Sequence, residues 1–466
     1  MKPILINSSF NKASILVGMA CLLFLFFSCR DDFESNAPGL ELEFSADTVL
    51  FDTVFTNIGT ITKQFKAKNP HSTDLKISRI ELGKGDNSHY RINVDGRGGH
   101  SFEDVRLGAG DSMYIFVDAN IDASDESLPF IERDSVRFLG EDGLDQHVKL
   151  MAWGQNANFY HNELVCDETW TKDKPYVIFD SILVPQGCYL EIEAGTRVHS
   201  HFNSSILIGG TMIADGTTES PITFAGDRLD EFYKDQSGQW IGIRFLPGSQ
   251  DNIMNNTIVK NGIRGVQVDS LPVNNNPNLI LQNTHIKNMD QLGLLGNTSH
   301  IRAINCVISD CGQHLFAGVL GGEYELIHCT FANTGHSFSH EDPSVIFDNA
   351  DFSPESGSAI INDLEVTMIN SILWGRLDNE LGIFDAGNGE MQLSFASNLL
   401  KTEIEDLDEQ NILNEDPIFK DPGDMNYRLE DDSPAIGQGE ILDIDTDIEG
   451  NTRKEPPDMG AYETSP

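Results

Sequence analysis

From Asn256 to Leu399 one short phrase recurs, and its spacing leaves few architectures open. A small side chain is followed by any residue, an apolar residue, and a turn former two places later. The copies begin at Thr257, Thr284, Cys306, Cys329 and Ser371, with a sixth at Ser397-Asn398-Leu399. The steps between them are 27, 22, 23, 42 and 26 residues. A period in the low twenties, filled by strand-like and turn-like segments, is what a stack of short coils requires. Equivalent positions then form columns about 4.8 Å apart. One column is small (Thr257, Thr284, Cys306, Cys329, Ser371) and one is apolar (Val259, Ile286, Ile308, Phe331, Leu373). A third is made of turn formers (Asn261, Asn288, Asp310, Asn333, Gly375), where stacked asparagines can bond along the axis. No insertion breaks the phrase in the five aligned copies, so its faces stay in phase.

A second phrase lies between copies: Gly242-Ile243-Arg244-Phe245, Gly265-Val266-Gln267-Val268 and Gly293-Leu294-Leu295. Each coil therefore has at least two strands. The 42-residue step contains His336 to Ser358, a polar stretch that reads as a loop thrown out from one coil. Upstream, Ile182 to Val184, Leu190 to Glu193, Ile206 to Ile208 and Pro221 to Phe224 alternate in the same style. This run resembles the opening coils of right-handed parallel β-helix proteins of the pectin-lyase-like type. The stretch from Asp416-Pro417-Ile418-Phe419 to Asp458-Met459-Gly460-Ala461-Tyr462-Glu463 is similar to the terminal segment of bacterial β-helix surface proteins. The resemblance implies a fold and leaves activity open, because that fold carries lyases, hydrolases, adhesins and stalks alike.

Lys2 and Lys12 precede a thirteen-residue apolar run, Ile15 to Phe27, and then Ser28-Cys29. This is a secretory signal, too short to be a convincing membrane span. It resembles a lipoprotein signal with Cys29 as the lipidated residue. Cleavage at the competing Cys21 would leave Leu22 to Phe27 exposed. The acidic Arg30-Asp31-Asp32-Phe33-Glu34 resembles the tag with which Bacteroidetes-type bacteria send lipoproteins to the outer face of the outer membrane. Seventy-three acidic against 31 basic residues give a net charge of −42. Such a surface repels nucleic acid and anionic lipid, and leaves room for loosely held calcium but names no cofactor.

Beyond the signal and the anchor Cys29, five cysteines remain: Cys166, Cys188, Cys306, Cys311 and Cys329. Cys306 and Cys329 fall in one column, compatible with a disulfide or a stacked thiol pair. The thiol pair is favoured because Thr and Ser fill the same column. No spacing names a zinc site.

Residues 40–158 read as seven short strands: Phe51 to Ile58, Thr62 to Lys68, Leu75 to Leu82, Tyr90 to Val94, Asp111 to Val117, Ser135 to Leu139 and His147 to Trp153. They suggest an antiparallel sandwich of immunoglobulin type, serving as a spacer. The expected organisation is all-β: signal 1–28, acidic tether 29–39, sandwich 40–158, right-handed parallel β-helix 165–425 and C-terminal cap 426–466.

Chemistry is weakly marked. Lys260 and Lys287 share a column that ends as Ser309, Ala332 and Trp374. Lys260, Lys287 and Trp374 are the candidate groove residues, although a solvated edge is the favoured explanation of the two lysines. No Gly-His-Gly or Arg-x-Lys pair of the polygalacturonase type follows, and His314, His328, His336 and His340 have no triad or metal spacing. No catalytic or metal residue is named. The favoured expectation is a non-catalytic scaffold binding glycan or surface partners. A polysaccharide lyase or hydrolase is the alternative, and a structural stalk or adhesin the third.

Overall fold

Thr257, Thr284, Cys306, Cys329 and Ser371 all lie inside the molecule, none more than 1% exposed. The computed structural model describes residues 41–464 apart from 57–58, 123–129, 141–142, 144, 271, 273, 275, 336–339, 352–359, 388 and 408–409. The signal, the tether, Cys29 and His336 lie outside the described residues. The chain divides into two compact units. One is built on Ile61–Ala119 and Arg133–Met151, and the other is dominated by Ala152–Pro466.

In the second unit a single sheet of 25 strands runs from Asn158–Leu164 to Ile412–Leu413. It starts seven residues before the expected position, because Asn158–Leu164 already pairs in parallel with Tyr176–Val184. From Tyr176–Val184 to Arg264–Asp269 each strand pairs in parallel with the strand three places on, so the chain winds in three-sided rungs. One side stacks Gly242–Phe245 on Arg264–Asp269, the next stacks Asn252–Asn255 on Leu279–Gln282, and the third stacks Thr257–Lys260 on His285–Met289. Farther on, Leu292–Ile304 and His314–Ile327 each cover two sides, bending where Thr298 and Leu320 take positive φ.

The apolar column stands in the expected register. Val259 faces Ile286, then Ile308, Phe331 and Leu373 follow, each 0% exposed. The sixth copy is displaced by one residue. Leu373 faces Leu400, so the small-residue position belongs to Asn398, whose Oδ1 accepts from the Ser371 amide at 2.8 Å. Ser397 is instead the turn residue, with φ 53°. It extends a left-handed column that the repeat phrase did not include: Asn256, Asn283, Asn305, His328 and Asn370, with φ between 47° and 54°. Short polar side chains tolerate that backbone best, which explains the asparagines. The expected ladder of turn formers is brief. Asn288 donates to Asn261 at 2.9 Å, and beyond it Asp310 and Asn333 bond elsewhere.

The segment expected to cap the stack lies along its third side. Phe419, Tyr427, Leu429, Ala435, Ile448, Met459, Ala461 and Tyr462 bury against the outward Val307, Ala332, Ile372 and Leu399.

The first unit contains two five-stranded sheets whose described pairings are antiparallel. Leu75–Leu82 and Tyr90–Val94 match the expected bounds. Glu43–Phe44, Arg97–Gly99 and Ser101–Leu107 are strands in addition to the seven. Phe44 and Phe65 of one sheet meet Phe138 of the other at 4.8 and 6.2 Å.

Candidate functional site

Lys260 and Lys287 are opposite one another on successive rungs, and Trp374 stands farther along the same column after Ser309 and Ala332. Lys260 is half-buried, and burial first, Lys287 second, lower its ammonium below the ordinary lysine range. Trp374 packs on the C-terminal segment, with the Lys401 ammonium 4.9 Å from its ring. Tyr427 closes over the same side by donating to Asp310 at 2.7 Å. The three candidates are thus aligned, but the column is overlaid before it reaches Trp374. Trp240 is fully buried, and its indole donates to the Lys260 carbonyl.

The described histidines of the 314–340 region go separate ways. His314 meets the Pro343 carbonyl, His328 meets Asn370, and His340 meets Glu380. Glu380 accepts from the Ser344 hydroxyl at 2.5 Å and the Leu377 amide at 2.8 Å. Burial pushes the Glu380 carboxyl up, but bonds from His340, Ser344 and Leu377 outweigh it and hold the group below the usual carboxylate range. Ser344, His340 and Glu380 sit together, yet all are buried and the carboxylate binds the hydroxyl directly. Sealed in this way, the trio anchors a turn and offers no nucleophile to a substrate.

An open cleft of about 350 Å³ forms at the corner where the turn at His201–Ser204 meets the longer 227–239 segment of the next rung. Its walls carry Phe202, Phe232 and Tyr233, and the two phenylalanines are 61% and 70% exposed. The Arg228 guanidinium lies 4.0 Å over the Tyr233 ring. His201 Nδ1 is 2.6 Å from Asp227 Oδ2. Behind it, His201, Phe179 and His161 stack at 4.9 and 4.7 Å on consecutive rungs.

The loop is held from below. Gln239 is buried and donates to the Tyr233 and Gln236 carbonyls, while Asn261 on the following rung donates to the Lys234 carbonyl. Gly226 makes room for this, since a β-carbon there would lie 2.2 Å from Gln239 Oε1. Exposed rings on a pinned loop, beside a carboxylate, amides and a guanidinium, form a pre-organised amphipathic surface.

Sequence reasoning passed over this segment because Asp227 to Gln239 is polar and aperiodic. The available signal was Phe232-Tyr233, two adjacent aromatic residues in a stretch with no core to fill.

No family model matches the chain, and no curated protein matches it. Among solved structures, the chain is similar to the ASH / PapD-like domain of human CEP192 at 10% identity, covering 27% of this chain and 92% of that one, with a TM-score of 0.19. A family 123 glycoside hydrolase from Clostridium perfringens is 6% identical over 27% of this chain and 30% of its own, TM-score 0.19. A protein of unknown function from Porphyromonas gingivalis W83 is 12% identical over 27% and 60%, again at 0.19. At such scores these likenesses carry no argument about activity.

Proposed function

We propose that this chain is a lipid-anchored outer-membrane protein, facing the cell exterior, that binds glycan without cleaving it. In this reading the 25-stranded sheet is a right-handed parallel β-helix of pectin-lyase type, consistent with the usual hand of parallel crossovers. The front unit is an immunoglobulin-like spacer, and Cys29 carries the lipid.

The observation that carries the reading is the cleft with Phe202 and Phe232 exposed on its walls. Aromatic rings stack on the C–H faces of sugars, and neighbouring polar groups orient the hydroxyls. The net charge of −42 disfavours uronate polymers and favours a neutral glycan. Asp227 is committed to His201, which leaves it poorly placed as one half of a paired-carboxylate mechanism.

The test is a panel of neutral and acidic oligosaccharides titrated into the full chain, with and without calcium, while new chain ends are counted. Phe202→Ala and Phe232→Ala should each weaken binding about tenfold and leave the melting temperature unchanged. Release of new chain ends would replace this reading with the lyase or hydrolase alternative. Binding that both substitutions leave intact would remove the cleft from it. Cys29→Ser should release the protein from the membrane fraction.

A further inference from the structure

Away from the cleft, on the outward face of the second side of the stack, three metal-ligating side chains converge. His300 lies on Leu292–Ile304, and Glu323 and Glu325 lie on the next rung, within His314–Ile327. The register sets His300 opposite Glu323 and Arg302 opposite Glu325. His300 Nδ1 is 3.4 Å from Glu323 Oε2, and its Nε2 is 3.5 Å from Glu325 Oε1. One donor atom from each of the three residues can be chosen so that all lie within 4.8 Å of one another.

The imidazole forms a floor, its side chain only 8% exposed, and the two carboxylates form a rim at 45% and 29%. The strand under the imidazole is held, since the His300 amide donates to Asn278 Oδ1 at 2.9 Å.

The separations argue for co-ligands. Charge-assisted hydrogen bonds close to about 2.7–2.9 Å. The two separations involve different ring nitrogens. One nitrogen and one oxygen of each carboxylate span at most 4.8 Å, from which a small rotation of the rim carboxylates reaches the spacing of about 3.3–3.4 Å between donors sharing a tetrahedral ion. A second observation points the same way. Glu323 is directly opposite Glu365 on the following rung, and like charges in register repel. Arg302 faces the other oxygen of Glu325, Oε2, at 3.5 Å, so it steadies that carboxylate and leaves Oε1 turned to His300.

We propose that His300, Glu323 and Glu325 form a divalent-cation site for a borderline transition metal of the zinc, cobalt or nickel type. One ring nitrogen and one oxygen from each carboxylate bind the ion, and water completes the coordination from the open side. A nitrogen donor with two oxygens suits these ions better than calcium, which prefers six to eight oxygens. The site is independent of the glycan reading.

The experiment is calorimetric titration of zinc chloride into the chelator-stripped full chain at pH 7, paired with the visible spectrum of the cobalt(II) form. One equivalent should bind in the micromolar range and resist displacement by millimolar calcium. His300→Ala, Glu323→Gln and Glu325→Gln should each weaken it at least about tenfold and erase the cobalt band. Should His300→Ala disturb folding, the two rim substitutions, at partly exposed positions, still decide the matter. Absence of saturable zinc binding overturns the proposal, and so does binding that Glu323→Gln and Glu325→Gln leave unchanged. Displacement of zinc by calcium at equal concentration overturns it as well.

Discussion

Gly265 and Gly293 occupy the point where one rung's backbone meets the next. A β-carbon on Gly265 would stand 2.4 Å from the Gly293 carbonyl, and one on Gly293 would stand 2.5 Å from the Leu315 carbonyl. Backbone cannot yield as a side chain can. Gly265→Ala should therefore lower stability by about 1–3 kcal/mol, read from the urea midpoint. Gly98→Ala, with open space around it, should stay within about 0.5 kcal/mol.

Two buried histidines give the fold an acid sensitivity. Burial, with Arg453 adding to it, pushes the His328 imidazole down to about 3, and burial pushes His199 down to about 4. Unfolded, both would titrate near 6.5. As pH falls from about 6.5 toward 4, the unfolded chain takes up protons that the native one refuses, so stability falls over that window. Asp310 and Glu463, whose carboxyls burial raises, act in the opposite sense and make the slope shallower. The urea midpoint should drop between pH 7 and pH 5, by roughly 2–4 kcal/mol in free energy. A profile flat across that range would show that these rings are not held neutral.

At the scale of strands, cysteine chemistry follows the side chain's direction more than its register. Glu168 pairs with Leu190 and Val307 pairs with Thr330, so Cys166 matches Cys188 just as Cys306 matches Cys329. The first pair lies toward solvent and is a disulfide across 22 residues. Cys306 and Cys329 point inward as free thiols that donate to the Ile304, Ile327 and Ala303 carbonyls. The expectation of a buried thiol pair there agrees with the structure, whereas the Cys166–Cys188 bond was not expected. Replacing Cys166 and Cys188 together by Ser should cost about 3 kcal/mol by loop closure. Alkylation of the native chain should spare Cys306, Cys311 and Cys329 until denaturant is added. Modification of any of the three under native conditions would contradict their burial.

For the molecule as a whole, the decisive contact within the second unit is the chain's end lying along the third side. Arg453 is buried between Glu463, 3.3 Å from its Nη1, and Asn305 of the left-handed column, which accepts from Nη2 at 2.8 Å. Asn370 of that column donates to the Glu440 carbonyl, accepts from the Glu440 amide and offers its own carbonyl to Gly460. The left-handed column therefore has a second role as the rail on which the C-terminal segment docks. Arg453→Ala would leave Glu463 buried without its counter-ion and Asn305 without its donor, a loss of about 3–5 kcal/mol. Limited proteolysis should then cut first within residues 430–463. Cleavage elsewhere at the same rate as the parent would argue against the segment as the weak point.

The all-β class, the rung period and the apolar column were legible in the sequence, because stacking in register imposes the same side-chain size at every turn. Val259, Ile286, Ile308, Phe331 and Leu373 obey that rule so closely that the spacing alone aligns them. The rule fails at Ser397, where the spacing predicts an inward small residue and the structure has the left-handed turn before Asn398. Only the tertiary structure decided which side the C-terminal segment covers, and with it that Trp374 is overlaid. It also decided that Phe202 and Phe232 line one cleft from two separate turns, and that His300 faces Glu323 and Glu325. Those arrangements depend on where a variable loop folds and which rung follows which. They are long-range outcomes of packing that leave no periodic mark on the chain.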